Sequence, residues 1–493
     1  MRQIADGFGC DLLTTHRQRM AMMSATLRDP NLPPGAIVVS RGDGTARRND
    51  GVELKPAATN PWYVLATVAG EQEGDWFSSP DIDLHAENRR YWNAWMCQDL
   101  DESARDTLAK ALNLSAEELG PLLDSEVKRI QARFEQIWPN MTIEEIIPDG
   151  NSTIDLSSLH FKNPFVFSCL YIRKTISFEK SVFEKEAIFP LAFFCESAIF
   201  SNTYFVRDAG FERAFFGKNT FFENVYFAED AYFMNTEFKA DANFYGVRFS
   251  HYSCFVGARF KSRAVFASAL FCRKADFKTA QFSETIDFTD GEFRGATIFK
   301  NTEFLIRVPE FYHFKMHQNT MFTDDRSLWP AVTDMNAASD KQAYTRLRQI
   351  AAGNHNPDLE HFFLRQEMRC KQHLAQRFDK LFFKAYALFS DYGISVARPV
   401  AGLALVTIVG ALVIGWHLWV PEQEWGEIIA LRQGLGISLG NILPFLGIVP
   451  RIFPEFHASA PWWLNTMAVF QSFAGIVFLF FLGLGLRNRF RLR

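Results

Sequence analysis

The sequence predicts a multi-domain protein. A stacked β-solenoid occupies the middle, α-helical regions flank it, and two transmembrane helices with a re-entrant loop lie near the C-terminus. Three observations carry this reading. Phenylalanine, 51 of 493 residues, recurs between 156 and 304 on a beat that alternates five and six. Two stretches, 400–420 and 464–486, carry no formal charge and are long enough to cross a bilayer core. Between them an apolar run, 433–449, is broken by glycines and a proline.

The beat runs from Leu156 through Phe161, Phe167 and Ile172, then Phe233, Phe238, Phe244 and Phe249, to Phe304 without a slip. An eleven-residue repeat alone would allow a helix, because it closes on about three turns. The inner steps reject that. Five residues rotate a helix by roughly 140° and would turn alternate rings away from any core. A single long strand fails as well, since odd steps change face. Each ring therefore sits on its own short extended side, followed by a turn. Two residues before most rings stands a small residue, such as Ala187, Ala231, Thr236 or Ala264. Residues i and i−2 share a face, so each side points one ring and one small residue inward. Coils of this kind stack through backbone hydrogen bonds around an axial core.

This pattern resembles the pentapeptide-repeat family, whose consensus is a small residue, a variable one, Leu or Phe, then two more. The resemblance implies a right-handed quadrilateral β-helix with four sides per coil. The alternating beat departs from strict fives and suggests about 22 residues per coil. Twenty-eight sides, read from the sequence, then make about seven coils and a rod roughly 30–35 Å long. The resemblance covers 151–305 and speaks to fold, not to function. Some pentapeptide proteins are acidic rods that mimic DNA and inhibit topoisomerases. Here 18 Lys and Arg stand against 17 Asp and Glu between Leu156 and Phe304. A near-neutral surface does not imitate a duplex with one charge per ~1.7 Å, so no nucleic acid is expected as a partner.

Before the rod, residues 1–51 contain "SRGDGTARRNDG" and read as a flexible N-terminal arm. Residues 52–150 read as a small α-rich cap over the first coil. Within it, "NPWYVLATVAGEQ" (60–72) reads as a strand-like core segment and "HAENRRYWNAWMCQ" (85–98) as a helix. Ser115 with Glu118 makes a capping box that opens a helix to about residue 137. After the rod, 306–395 reads as a helical connector. Asn356 followed by Pro357 is a start signal within it.

Residues 396–493 form the membrane module. Trp416, Trp419, Trp462 and Trp463 stand where an interfacial belt would be, with His417 among them. Arg398 precedes the first span, and Arg487, Arg489, Arg491 and Arg493 follow the second. By the charge rule both termini are cytoplasmic. No apolar signal core precedes Arg17 and Arg19, which fits a cytoplasmic-membrane protein. A third crossing by 433–449 would place the last arginines outside, so this run is expected to enter the bilayer and return. Membrane-anchored bacterial pentapeptide proteins are similar here: "SDYGIS" at 390–395 and "RNRFR" at 487–491 match their pattern. That extends the resemblance over roughly 150 to 493.

Span, re-entrant helix, span is the layout of two-helix channel pores, and the module looks like that of potassium channels. The TVGYG-type filter is absent, with "NILPFLGIVP" in its place. The expectation is a homo-oligomeric ion channel or pore in the lipid bilayer, beside a cytoplasmic β-helix that senses or binds a protein partner. Candidate pore-lining residues are Gln433, Ser438, Asn441, Asn465, Gln471 and Ser472. The alternative is a membrane-tethered scaffold that does not conduct, in which these groups only hydrogen-bond between packed helices. A topoisomerase-directed mimic is a distant third. No nucleophile elbow, Walker loop or dinucleotide fingerprint appears, so no catalytic residue and no cofactor are expected. His313 and His317 have helical spacing but no acid at ligand distance, and no metal site is expected.

Overall fold

The computed structural model describes residues 38–40, 45–419, 426–454, 456 and 460–489. The chain divides into two compact units. One reaches to Ala331 and includes Gly353–His355; the other holds Val332–Ala352 and the chain from Asn356.

In the first unit, β4 (Ile154–Asp155) to β31 (Glu303–Phe304) are short strands, four per coil. Each pairs in parallel with the strand one coil on. Ala209 faces Ala231 and Ala231 faces Ser253, a repeat of 22 residues. Four sheets result, three of seven strands and one of ten. The solenoid therefore has seven coils, consistent with pentapeptide repeats.

The corners explain the beat. Positive φ recurs every eleven residues, at Asn202, Arg213, Asn224, Asn235, Gly246 and Gly257, always inside the five-residue step. There the N–H of Thr203 donates to Phe200 O at 3.0 Å, closing a turn whose third residue is left-handed. The six-residue step turns without one. Two corner types alternate, so five and six alternate.

Every ladder side chain is at most 2% exposed. The rings form columns: Phe211, Phe233 and Phe255 stack at 4.9 Å, nearly parallel. Neighbouring columns meet edge-on, as Phe222 does with Phe233 at 5.5 Å and 89°. Both geometries suit the ring quadrupole. The small residues matter too. Thr236 Oγ1 donates to Phe211 O at 2.7 Å, so even this buried hydroxyl is satisfied.

The rings outlast the beat. Phe311 stacks on Phe288 at 4.9 Å, Phe322 on Phe299 at 5.4 Å, and Trp329 tilts over Phe304 at 5.0 Å. Residues 306–331 thus form a further, irregular coil, and the connector's helices begin only at Ala337. His313 and His317 lie in its turns, not on a helix.

The arm is also corrected in part. β1 (Val38–Ser40) and β2 (Ala46–Arg48) pair antiparallel, and β3 (Glu53–Pro56) joins the solenoid through Lys55 opposite Leu159. The rest of 1–44 lies outside the described residues. Arg48 is buried and fastens the hairpin. Its guanidinium donates to Lys180 O and Asn202 O at 3.0 and 2.7 Å and lies 4.1 Å over the Tyr204 ring. Arg48→Ala is expected to cost about 2–3 kcal/mol. The loss should show as faster hydrogen exchange at 46–56, with coils beyond Phe227 unchanged.

The cap begins with a helix, not a strand: α1 (Pro61–Ala66). Asn60 Oδ1 accepts from the N–H groups of Trp62 and Tyr63, and Pro61 presets the first turn. Next come α2 (Ile82–Met96), α3 (Glu102–Leu112), α4 (Asp124–Ile137) and α5 (Ile143–Ile146). The helix expected from Ser115 is only a 3₁₀ turn, Ala116–Leu119, because Pro121 interrupts it before α4. The α2 helix closes the solenoid. Trp92 packs on Phe167 at 4.9 Å and donates to Tyr171 O. Asn93 donates to Cys169 O and accepts from Tyr171 N.

Acids climb one side in register: Glu186, Asp208 and Asp230. Glu212 lies near them with Oε2 enclosed and without a hydrogen-bond partner. Burial, with the charge of Asp208 adding, pushes its carboxyl up to about 7. The folded value exceeds the ordinary one, so the protonated rod is favoured. This contribution is complete below about pH 4.5 and is lost as pH rises through about 7. Exchange protection of coils 189–238 should fall across that window, and Glu212→Gln should flatten the fall.

The second unit is helical: α6 (Ala337–Gly353), α7 (Pro357–Leu374), α8 (Arg377–Ser390), α9 (Ala397–Leu418), α10 (Gly426–Ile442), α11 (Ile448–Ile452) and α12 (Trp462–Arg489). As expected, Asn356 caps α7 ahead of Pro357. Two of these, α9 and α12, are long and apolar enough to cross a membrane.

Candidate functional site

The candidate site is where α9, α10 and α12 meet. Residues with small side chains make the close approach. Thr407, Ala411 and Gly415 line one stripe of α9, and Ala430, Gly434 and Ser438 one stripe of α10, each at every fourth position. A Cβ on Gly434 would stand 2.4 Å from Ala411 O and 2.7 Å from Gly415 N. A Cβ on Gly475 of α12 would stand 2.3 Å from Ile442 O. Backbones touch because side chains are missing, which is how helices pack where no water drives them together.

The same contacts set the register. Gly415 lies beside Ala430, and Ser438 Oγ donates to Thr407 O at 2.9 Å, so α10 runs back along α9. At Leu443–Gly447 the chain turns, with Gly447 left-handed at φ 59°. It then returns: Val449 packs with Ile414, Ile437, Phe456 and Leu464.

Four of the six expected residues come together here. Gln471 is the hub. Its Nε2 donates to Ser438 Oγ at 2.8 Å and to Val406 O at 3.3 Å, while its Oε1 accepts from Asn441 Nδ2 at 3.0 Å. Ser472 Oγ donates to Asn441 O at 2.9 Å. Asn441 and Gln471 are only 4% and 5% exposed. Gly410 makes room, since a Cβ there would meet Gln471 Nε2 at 1.6 Å. Asn465 stands apart, half-buried, with Nδ2 donating to Ala460 O at 3.3 Å. Gln433 is exposed on α10 and outside the network. A cleft of about 360 Å³ beside the network is lined by Asn441, Pro444, Asn465, Val469 and Ser472.

Reading the polar side chains alone missed Gly410, Gly434 and Gly475. The signal that finds the first stripes is the four-residue spacing of small residues on each helix. At the other end, His417 sits edge-on to Trp463 at 5.8 Å, and Trp416 and Trp462 are exposed.

The fold and this site define a class: a β-solenoid repeat protein carrying a helical module with two candidate membrane spans. Comparison of the chain with known protein families, with characterised proteins and with solved structures returns no match.

Proposed function

We propose that this is a membrane-anchored scaffold: α9 and α12 cross the cytoplasmic membrane, and the solenoid offers a cytoplasmic surface to a protein partner. One observation carries the choice against a conducting module. Ser438, Asn441, Gln471 and Ser472 spend their hydrogen bonds on one another and on backbone within a single chain. Groups so paired lock helices in a bilayer, and Ser438 and Gln471 are turned into the joint rather than toward the cleft. The α10–α11 hairpin, entering and returning on one side, then serves packing. Both termini are cytoplasmic in this reading, because the basic residues flank the outer ends of the two spans.

The test is reconstitution of the purified full chain. The expected result is retention in vesicles after alkaline carbonate treatment and no current in planar bilayers. Release by carbonate would remove the anchor. Discrete current steps would remove the scaffold.

A second reading, an oligomeric pore, draws on the cleft that Asn441, Asn465 and Ser472 line. Copies arranged around an axis could join such clefts. In that case Asn441→Leu would abolish the current steps, and conductance untouched by this change would rule out the proposed wall.

A further inference from the structure

The helix ahead of the first span is two-faced. Phe378, Leu381, Phe382 and Leu388 of α8 share one side at helical spacing, and Phe378 and Phe382 are 84% and 74% exposed. Arg377 and Lys384 flank that side, and Lys380 lies opposite Phe378 and Phe382. Further along α8, Tyr386 and Phe389 rest on α12 while Leu388 stays bare. Tyr386 stacks on Phe481 at 5.6 Å, and Phe389 meets Phe478 edge-on at 5.3 Å. The bare face therefore continues into the outward side of α12, where Phe473, Ile476 and Phe480 are exposed.

The corner between α8 and α9 is pinned at the basic end of the spans. Asn488 Nδ2 donates to Gly393 O at 2.8 Å, and Arg365 pairs with Asp391 at 2.8 Å. The Arg398 guanidinium donates to Ala387 O. Gly393, at φ +79°, has no room for a Cβ, which would meet Leu484 at 2.6 Å. The end of α8 and the corner after it are thus held beside the level where Arg487 and Arg489 end α12.

We infer that α8 is an interfacial helix, its Phe378–Phe382 face seated at the boundary of headgroups and acyl chains in an anionic leaflet. Arg377 and Lys384 meet the phosphates. This rests on the membrane anchoring proposed above. Lipid is favoured over a second copy by charge. A self-paired face would bring the flanking cations of two chains together, with only Asp379 of α8 to oppose them. An anionic surface satisfies the same cations.

The test places a benzophenone amino acid at 382, or at Lys380 as the control, in the full chain. The protein is reconstituted in phosphatidylcholine vesicles with and without phosphatidylglycerol. Irradiation should give a lipid adduct at 382 several-fold above that at 380, and the yield should fall when phosphatidylglycerol is left out. A cross-linked dimer at 382, or equal adducts at both sites, would overturn the inference. In the unsubstituted protein, amides 377–384 should exchange more slowly once phosphatidylglycerol is present, and unchanged exchange would also overturn it. Carbonate extraction separates the failures. A released chain sinks the anchoring itself, whereas a retained chain without the lipid adduct sinks only the interfacial helix.

Discussion

Phe233→Ala is expected to remove about 3–5 kcal/mol from the middle of the solenoid. The ring is fully buried, with Phe211 and Phe255 stacked on either face at 4.9 Å. Phe222 and Phe244 meet it edge-on at 5.5 Å. Alanine leaves a void among these four rings and those of Phe227 and Phe238, whose backbones are tied into parallel sheets and cannot collapse onto it. A coil touches only the coils above and below, so a defect here uncouples the two halves of the rod. Hydrogen exchange on the full chain should show lost protection in the peptides around 211–255, with urea lowering the threshold further. Tyr245→Ala is the contrast. That ring lies in the same coils but is 48% exposed, and its loss should cost less. Equal effects at both positions would argue against stacked coils as the source of stability.

Gly434→Leu is expected to pry α9 and α10 apart. Even a methyl at this position would meet Ala411 O at 2.4 Å and Gly415 N at 2.7 Å. Those atoms are backbone, so no rotamer relieves the clash. Overpacking of this kind costs about 1–3 kcal/mol. Separation also breaks the bond from Ser438 to Thr407 O and the link to Gln471, and each buried group left unpaired adds about 1–3 kcal/mol. The measurement is unfolding of the detergent-solubilised protein by increasing sodium dodecyl sulfate. Gly434→Leu should shift the transition far to lower denaturant. Gly483→Ala serves as the control, because a Cβ there meets nothing within 4 Å and should leave the transition in place. If the two variants unfolded alike, the small-residue stripes would not be the joint between the helices.

Each misread segment has its own physical cause. Residues 61–66 are a six-residue apolar run, and at that length strand and buried helix look the same. The cap at Asn60 and the proline after it settle the matter. The extra coil at 306–331 was hidden because its rings come at irregular steps, while stacking needs only that a ring arrive above the previous one.

The solenoid was legible because its core is local: every side states its own inward residue, and the spacing of those residues is the geometry of the corners. The two candidate spans were legible for a similar reason, since length and absence of charge are properties of one segment. The pairing of Ser438, Asn441, Gln471 and Ser472 was of another kind. Each was visible as a polar group in an apolar run, but a hydroxyl or amide there serves a pore or a helix joint equally well. Only the tertiary arrangement puts them within hydrogen-bond distance. It does so because Gly410, Gly434 and Gly475 let three backbones come close enough for short side chains to reach across.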